Sequence, residues 1–336
     1  MPNSRSPGRR NSAPIQPKMA ATKAPLAATL SRTQAWPRLE LAEWLPTYRT
    51  LHRWVQIVGK TRLALAAFQN HWWHCALYVT PWGLTTSTMP RDGRAIDAEF
   101  DFVHHRLAVR ASSGETGRIK LESKSVADFY AEWRELLRVL GVDARIWPRP
   151  NEIADATPFA DDRTHASYDA EAVSRWFRAL SNVDRTLERF RGRFIGKSSP
   201  VHFWWGGFDL ACTRFSGRRA PPHPGGVPNC PDYVMREAYS RECISAGWWP
   251  GTAESPVAQA AFYAYAYPEP AGCAAASIRP ASAFYHPEMR EWILPYETVR
   301  RAPDPDAAIM EFLESTYEAA ATLGGWDIGA LAVDHS

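Results

Sequence analysis

The chain has 336 residues, 45% of them apolar and 22% charged, which allows two ordinary domains and excludes a fibrous or disordered protein. Its formal charge of +3 is misleading, because residues 1–38 carry seven basic groups (Arg5, Arg9, Arg10, Lys18, Lys23, Arg32 and Arg38) and no acid. The remainder is mildly acidic and lacks the overall signature of a nucleic-acid-binding domain. Fifteen Trp, twelve Tyr and fourteen Phe supply flat, partly polar surface for a core or for a ligand. Five cysteines (Cys75, Cys212, Cys230, Cys243 and Cys273) show no C-x-x-C spacing, which suits reduced thiols in a cytoplasm better than a disulfide frame or a zinc site. No apolar run approaches the ~18 residues of a membrane span.

Residues 1–35 are rich in Pro, Ser, Ala and Arg and read as a disordered basic tail. Their composition also matches a transit peptide, and Met1 and Met19 are both candidate starts. From Trp36 the pattern turns helical: Trp44, Leu51, Trp54, Val55, Val58, Arg62 and Leu65 recur at three- and four-residue spacing, with Gly59 where a helix could end. Alternating segments follow at His71–Thr80, Leu84–Thr88, Ile96–Val103, Leu107–Ala111 and Arg118–Glu122. The polar turns between them predict an antiparallel meander. Ser125 and Asp128 resemble a helix-starting box, and Phe129, Trp133, Leu136, Leu137 and Leu140 then form an apolar stripe ending at Gly141. Residues 36–150 thus read as a first α+β lobe.

Residues 151–336 repeat this order as a second lobe with an insertion near 218–260. Arg49-Thr50-Leu51-His52-Arg53-Trp54 matches Arg185-Thr186-Leu187-Glu188-Arg189-Phe190, and Val58-Gly59-Lys60-Thr61 matches Ile195-Gly196-Lys197-Ser198. His71-Trp72-Trp73 resembles His202-Phe203-Trp204-Trp205, and Phe129 to Gly141 resembles Phe312 to Gly324. The expected fold is α+β: two pseudo-repeated lobes, each an antiparallel meander flanked by helices, with any ligand site where they meet.

The paired Gly-Lys segments lack the earlier glycine of a phosphate loop, since position 54 is Trp and position 191 is Arg. Lysine is scarce, six against 33 Arg, yet Lys60 and Lys197 occupy equivalent positions; each is a helix-end cation or a functional ammonium. His71 and His74, three apart on a strand, cannot converge on one metal. On the matching strand His202 shares one face with Trp204, while Trp205 and Asp209 share the other, and Gly206 and Gly207 mark a pocket floor or a bulge. Arg214, Arg218 and Arg219 form a candidate clamp for carboxylate or phosphate, or pair with nearby acids such as Glu237, Asp209 and Glu242. His202, Asp209 and Glu242 are candidate acid and base groups if one cleft gathers them. Tyr263, Tyr265 and Tyr267 share a strand face and are core or a stacking platform. His165 with Asp161 and Asp162 is the lead-in to a helix capped by Ser167 or Asp169, or a loop metal site.

His165-Ala-Ser-Tyr-Asp169, Ser199-Pro-Val-His-Phe203, Phe208-Asp-Leu210, Thr213-Arg-Phe-Ser-Gly-Arg-Arg219 and Phe262-Tyr-Ala-Tyr-Ala-Tyr-Pro-Glu269 resemble the uncharacterised bacterial family called domain of unknown function 5996. The resemblance runs from about Trp36 to Trp326 and implies no catalytic residue, substrate or cofactor. The functional expectation is a cytoplasmic protein that holds a small anionic or sugar-like molecule in an inter-lobe cleft, with metal-free acid/base chemistry and no cofactor. Arg214, Arg218, Arg219, Lys60, Lys197, Trp205 and Tyr265 are the binding candidates. The alternative is a non-catalytic interaction module with an exposed aromatic face. The basic tail is the one expected route to nucleic acid or anionic lipid.

Overall fold

Helix α2 (Leu41–Leu65) organises the molecule. In the computed structural model, which describes residues 32–333 apart from Asp92 and Ala253, the helix's stretch 50–62 is buried on every side. Leu51, Trp54, Val55, Ile57 and Val58 are fully enclosed, with Trp54 stacked between Phe129 and Tyr168. A helical stretch without a solvent face must satisfy its polar side chains within the protein, and these act as a seam for what surrounds it. Thr47 and Thr50 accept from the amides of Asp169 and Ser167, Arg53 pairs with Asp162, and Thr61 accepts from the Trp133 indole. Gln56 holds Asn151 through both its amide groups. Gly59 lies inside the helix rather than at its end. A Cβ there would sit 2.3 Å from the Trp205 ring, so the glycine permits a close approach instead of a cap.

The first sheet is an antiparallel meander in the order β1 (Tyr78–Val79), β2 (Gly83–Thr85), β4 (Arg94–Asp101), β5 (Arg106–Ala111) and β6 (Thr116–Lys120), with β3 (Met89–Arg91) paired to β4. Helix α3 (Val126–Val139) follows, its Ser125 cap accepting from the Asp128 amide and burying Phe129, Trp133 and Leu137 as the stripe requires. The segment 148–169 then runs along α2 to α4 (Ala170–Arg191), capped by Asp169. The second sheet runs β7 (His202–Trp204), β8 (Asp209–Arg219), β9 (Arg241–Trp249), β10 (Ala261–Tyr267), β12 (Glu291–Pro295) and β11 (Phe284–His286), all antiparallel. Helices α5 (Asp232–Ala238), α6 (Tyr296–Arg301), α7 (Pro305–Leu323) and α8 (Ile328–Leu331) complete this half. The sheets meet at their first strands, where Leu77 and Phe203 exchange two backbone hydrogen bonds of 2.8 and 2.9 Å. One contiguous core joins both halves.

Several expectations need correction. Of the expected tail, residues 1–31 lie outside the described residues, whereas Arg32–Ala35 form the turn α1, whose Gln34 and Ala35 carbonyls accept from Arg178 and Asn182 on α4. The expected strand His71–Thr80 is mostly a 3-10 turn over Asn70–Cys75, with His71 and Trp72 in the left-handed region, and only Tyr78–Val79 is strand. The expected single strand through His202 and Thr213 is a hairpin that reverses at Trp205–Phe208, pairing His202 with Ala211 and Trp204 with Asp209. Lys197 follows α4 in a loop, beyond Gly196.

Candidate functional site

Strand parity builds the site. The registers Ala211↔Gly247↔Tyr263 and Thr213↔Ser245↔Tyr265 place these residues side by side on one face of the second sheet. The other face, with Leu210, Cys212, Phe262 and Ala264, is packed under α4 and α7. The first face looks into a cavity of about 980 Å³. Its floor is Asp209, Ala211, Thr213, Phe215, Ser245, Tyr263 and Tyr265; α2 and the 3-10 turn supply Lys60, His71, Trp72 and Trp73. Residues 145–152 and 229–239, including α5, close the remaining sides. The cavity thus draws on both halves and on the expected insertion.

The closing segments are tied down by specific bonds. The Glu152 amide donates to Pro228 O at 2.9 Å, and Asn229 Nδ2 to Ile153 O at 2.8 Å. His71 Nδ1–H donates to Ala238 O at 2.8 Å, and its backbone amide to Glu237 Oε1 at 2.9 Å. His71 Nε2 then accepts from Lys197 Nζ at 2.7 Å, with that ammonium near the Trp73 and Phe215 rings. Burial holds the His71 pKa below the ordinary imidazole value.

The charged end of the cavity forms where the β7–β8 hairpin meets Lys60 and residues 151–152. The hairpin turn is held by His52, whose Nε2 lies 2.8 Å from Gly206 O and 3.0 Å from Trp205 O. Trp205 Nε1 donates to Cys75 O at 2.8 Å, and the Lys60 ammonium lies 5.3 Å from its ring centre while donating to Asn151 Oδ1. Glu152 packs its carboxyl on Gly206, where any Cβ would collide with it. Oxygens of Glu152 and Asp209 both lie within 4 Å of the position a Gly207 Cβ would take, so the two carboxyls are neighbours. Tyr263 reaches across Gly247 to donate its phenol proton to Asp209, a path that a Cβ at 247 would block. Tyr263 stacks parallel to Tyr265, whose hydroxyl pairs with Tyr239 at 2.6 Å.

These surroundings shift the titrations. Burial and the neighbouring Asp209 raise Glu152 to about 7, with Lys60 opposing. Glu152 is nonetheless open to the cavity on one side. Burial raises Asp209 to about 6 against the hydrogen bond from Tyr263. Glu291, farther along the sheet, rises to about 8 through burial and then Asp209. Burial lowers Lys60 to about 8. At neutral pH this end of the cavity can therefore both donate and accept a proton.

Of the sequence candidates, the structure brings Lys60, Trp205, Asp209 and Tyr265 to the cavity. It does not bring the arginine clamp. Arg214 belongs to the opposite sheet face, 1% exposed, its guanidinium 3.5 Å from the centre of the Phe190 ring and 4.4 Å from that of Tyr317, with Glu314 at 3.7 Å. Arg218 pairs with Glu242 and donates to the carbonyls of Gly324 and Gly325 beyond α7. Arg219 is exposed at the end of β8. Glu242 lines a separate cavity of about 220 Å³, so the expected convergence of His202, Asp209 and Glu242 does not occur. His202 is fully buried among Trp73, Tyr78 and Trp204, and burial lowers it to about 3, which leaves it neutral. Lys197 sits behind His71 rather than opposite Lys60. His165 Nδ1 contacts Asp162 at 2.8 Å, and Asp162 also holds Arg53, an ion-pair cluster rather than a metal loop. Sequence reasoning missed Glu152 and Glu291; no pattern marked Glu152 in its linker, but Glu291 opens an apolar strand.

No helix among the described residues is long and apolar enough to cross a membrane. Among curated proteins and solved structures nothing matches the chain. A family model matches residues 36–333, nearly the whole described fold including every wall of the cavity. The chain belongs to the family of unknown function DUF5996.

Proposed function

We propose that the protein binds a small organic molecule in the cavity between its halves and that Glu152 and Asp209 exchange protons with it. The observation that carries this reading is the convergence, at one end of a cavity of about 980 Å³, of two neighbouring carboxyls and an ammonium beside stacked tyrosines. An aromatic-lined cavity with a few polar groups at one end suits a ligand with a flat or apolar body and a polar head, which includes sugar-like molecules. Asp209 keeps its proposed acid/base role, and Glu152 takes the place first given to Glu242. Lys60 orients Asn151 and offsets charge at Glu152; Trp205 and Tyr265 give contact surface. The anionic ligand class loses its motive, because Arg214 and Arg218 are engaged elsewhere.

A thermal-shift screen of sugars, amines and organic acids tests the reading, since a ligand that binds only the folded state raises the melting temperature. Hits are expected to vanish in the cavity-filling Ala211→Phe and to persist in Arg219→Ala, which lies outside the site. Hits that survive Ala211→Phe would overturn it.

We also read the two halves as copies of one unit. Each has a leading helix (α2, α4), five antiparallel strands in meander order (β1, β2, β4, β5, β6 and β7, β8, β9, β10, β12) and a closing helix (α3, α7), with the first strands side by side. Superposition of the units in this order is the test, and helices packing on non-equivalent sheet faces would refute it. The unpaired cysteines favour a reducing, cytoplasmic location, which cell fractionation would check.

A further inference from the structure

Two carboxyls, Glu152 and Asp209, line the cavity without a cation in contact with either among the described residues, although Lys60, Arg145 and Arg149 line other parts of it. Among the described residues, no lysine, arginine or histidine comes within ion-pair distance of Glu152 or Asp209. Lys60 is directed at Asn151 and acts on Glu152 only from beyond ion-pair distance. Arg145 and Arg149 stand exposed at the rim, where water screens them, and Arg149 donates to Ala156 O. Lys197 is turned onto His71 at the far wall. The other titratable groups that interact with the carboxyls include Tyr48, Tyr239, Tyr263, Tyr265, Cys75 and Cys230, whose pKa values burial raises, so these stay neutral, and Glu291 farther along the sheet.

The walls beside this acidic end are rings. Trp204, Trp205, Tyr263 and Tyr265 present faces or edges within one cavity, and ring faces attract cations. We propose, resting on the ligand-binding reading above, that the ligand of this cavity is an organic cation, an amine or guanidine on an apolar or aromatic body, whose charged head sits at Glu152 and Asp209. Such a head supplies the missing countercharge and accepts no contact that the rings and carboxyls cannot give. In the free protein the carboxyls relieve their repulsion by retaining protons, and an arriving cation displaces them. Binding is therefore coupled to proton release.

Phenethylamine, phenethyl alcohol and 3-phenylpropionate, matched in body and different in head group, form the test. Each is titrated calorimetrically into the whole chain at pH 7 in two buffers of different ionisation enthalpy. The amine is expected to bind at least tenfold more tightly than the other two and to release protons, and both effects should fall in Asp209→Asn and in Glu152→Gln. Circular dichroism and melting curves confirm that these variants fold. Equal or tighter binding of the alcohol or the acid, an amine signal without proton release, or selectivity that survives both substitutions overturns the proposal. The first of these leaves the cavity a ligand site for another head group. Absence of the amine signal also overturns the cationic assignment, and the failure of every class in the broader screen removes the ligand-binding reading as well.

Discussion

At Glu291, on the strand beside that of Tyr263 and Tyr265, a carboxyl has no lysine, arginine or histidine within ion-pair distance among the described residues, and burial raises its pKa to about 8. A folded-state pKa above the unfolded value means that the folded protein retains the proton longer. Stability from such a group is present below the unfolded pKa near 4 and is lost as pH rises through the folded value. His52 and His202, lowered to about 4 and about 3, act oppositely between those values and ~6.5, the unfolded histidine pKa. Between pH ~6.5 and ~8.5 the acids dominate, so the free protein should lose stability across that window. Glu291→Gln removes one such charge and should be more stable than the parent at pH 8.5 by about 1–3 kcal/mol, with little difference at pH 5. Urea melts at the two pH values decide it; equal stability at pH 8.5 would show that Glu291 is not raised. Residue chemistry was partly legible beforehand. Arg214 directly follows Thr213, so the same alternation that puts Asp209 and Thr213 on the cavity face puts Arg214 on the other. Clustering of Arg214, Arg218 and Arg219 suggests a clamp, but parity already separates its first member from Asp209. Glu152 carried no such signal, because it comes from an irregular segment placed by Gln56 and Pro228.

At the scale of elements, α2 shows how a buried helix can carry a site. Its apolar residues fix it in the core, and Gln56 and Lys60 on adjacent turns hold Asn151, which precedes Glu152. Gly59 lets the Trp205 ring lie against the helix, where its indole reaches Cys75 O. Gly59→Ala should cost about 1–3 kcal/mol through overpacking and should shift the fluorescence of the displaced indole. A chemical-denaturation curve matching the parent would mean that the helix and hairpin are farther apart than this contact implies. The sequence made the meanders, the caps at Ser125 and Asp169 and the tyrosine face of β10 readable, since each depends on local spacing. It hid the turn at Asn70–Cys75, because an aromatic-rich run leading into Tyr78–Val79 looks extended, while the tertiary partners Ala238 and Glu237 hold His71 in a left-handed conformation. It also hid the continuation of α2 past Gly59, since a glycine required for packing resembles one required for a cap.

For the whole molecule, the important relation is between two sheets that touch at Leu77 and Phe203 and the space left on one side of the second. Helices α4 and α7 occupy one face of that sheet, and among the described residues no comparable helix covers the other. Residues 145–152 and 229–239 wall the opening instead, converting an uncovered face into a cavity. Their contribution was foreseeable only as an insertion of unknown use, because proline- and glycine-rich chain reveals its length without its path. The most direct measurement is a calorimetric titration, at pH 7, of the compound giving the largest thermal shift into the parent chain and into Asp209→Asn. The expected result is one site per chain and an affinity at least tenfold weaker in the variant, the loss of a buried charged partner being worth roughly 1.4 kcal/mol or more. Equal affinity in a correctly folded Asp209→Asn protein would contradict the assignment of the binding site to this end of the cavity.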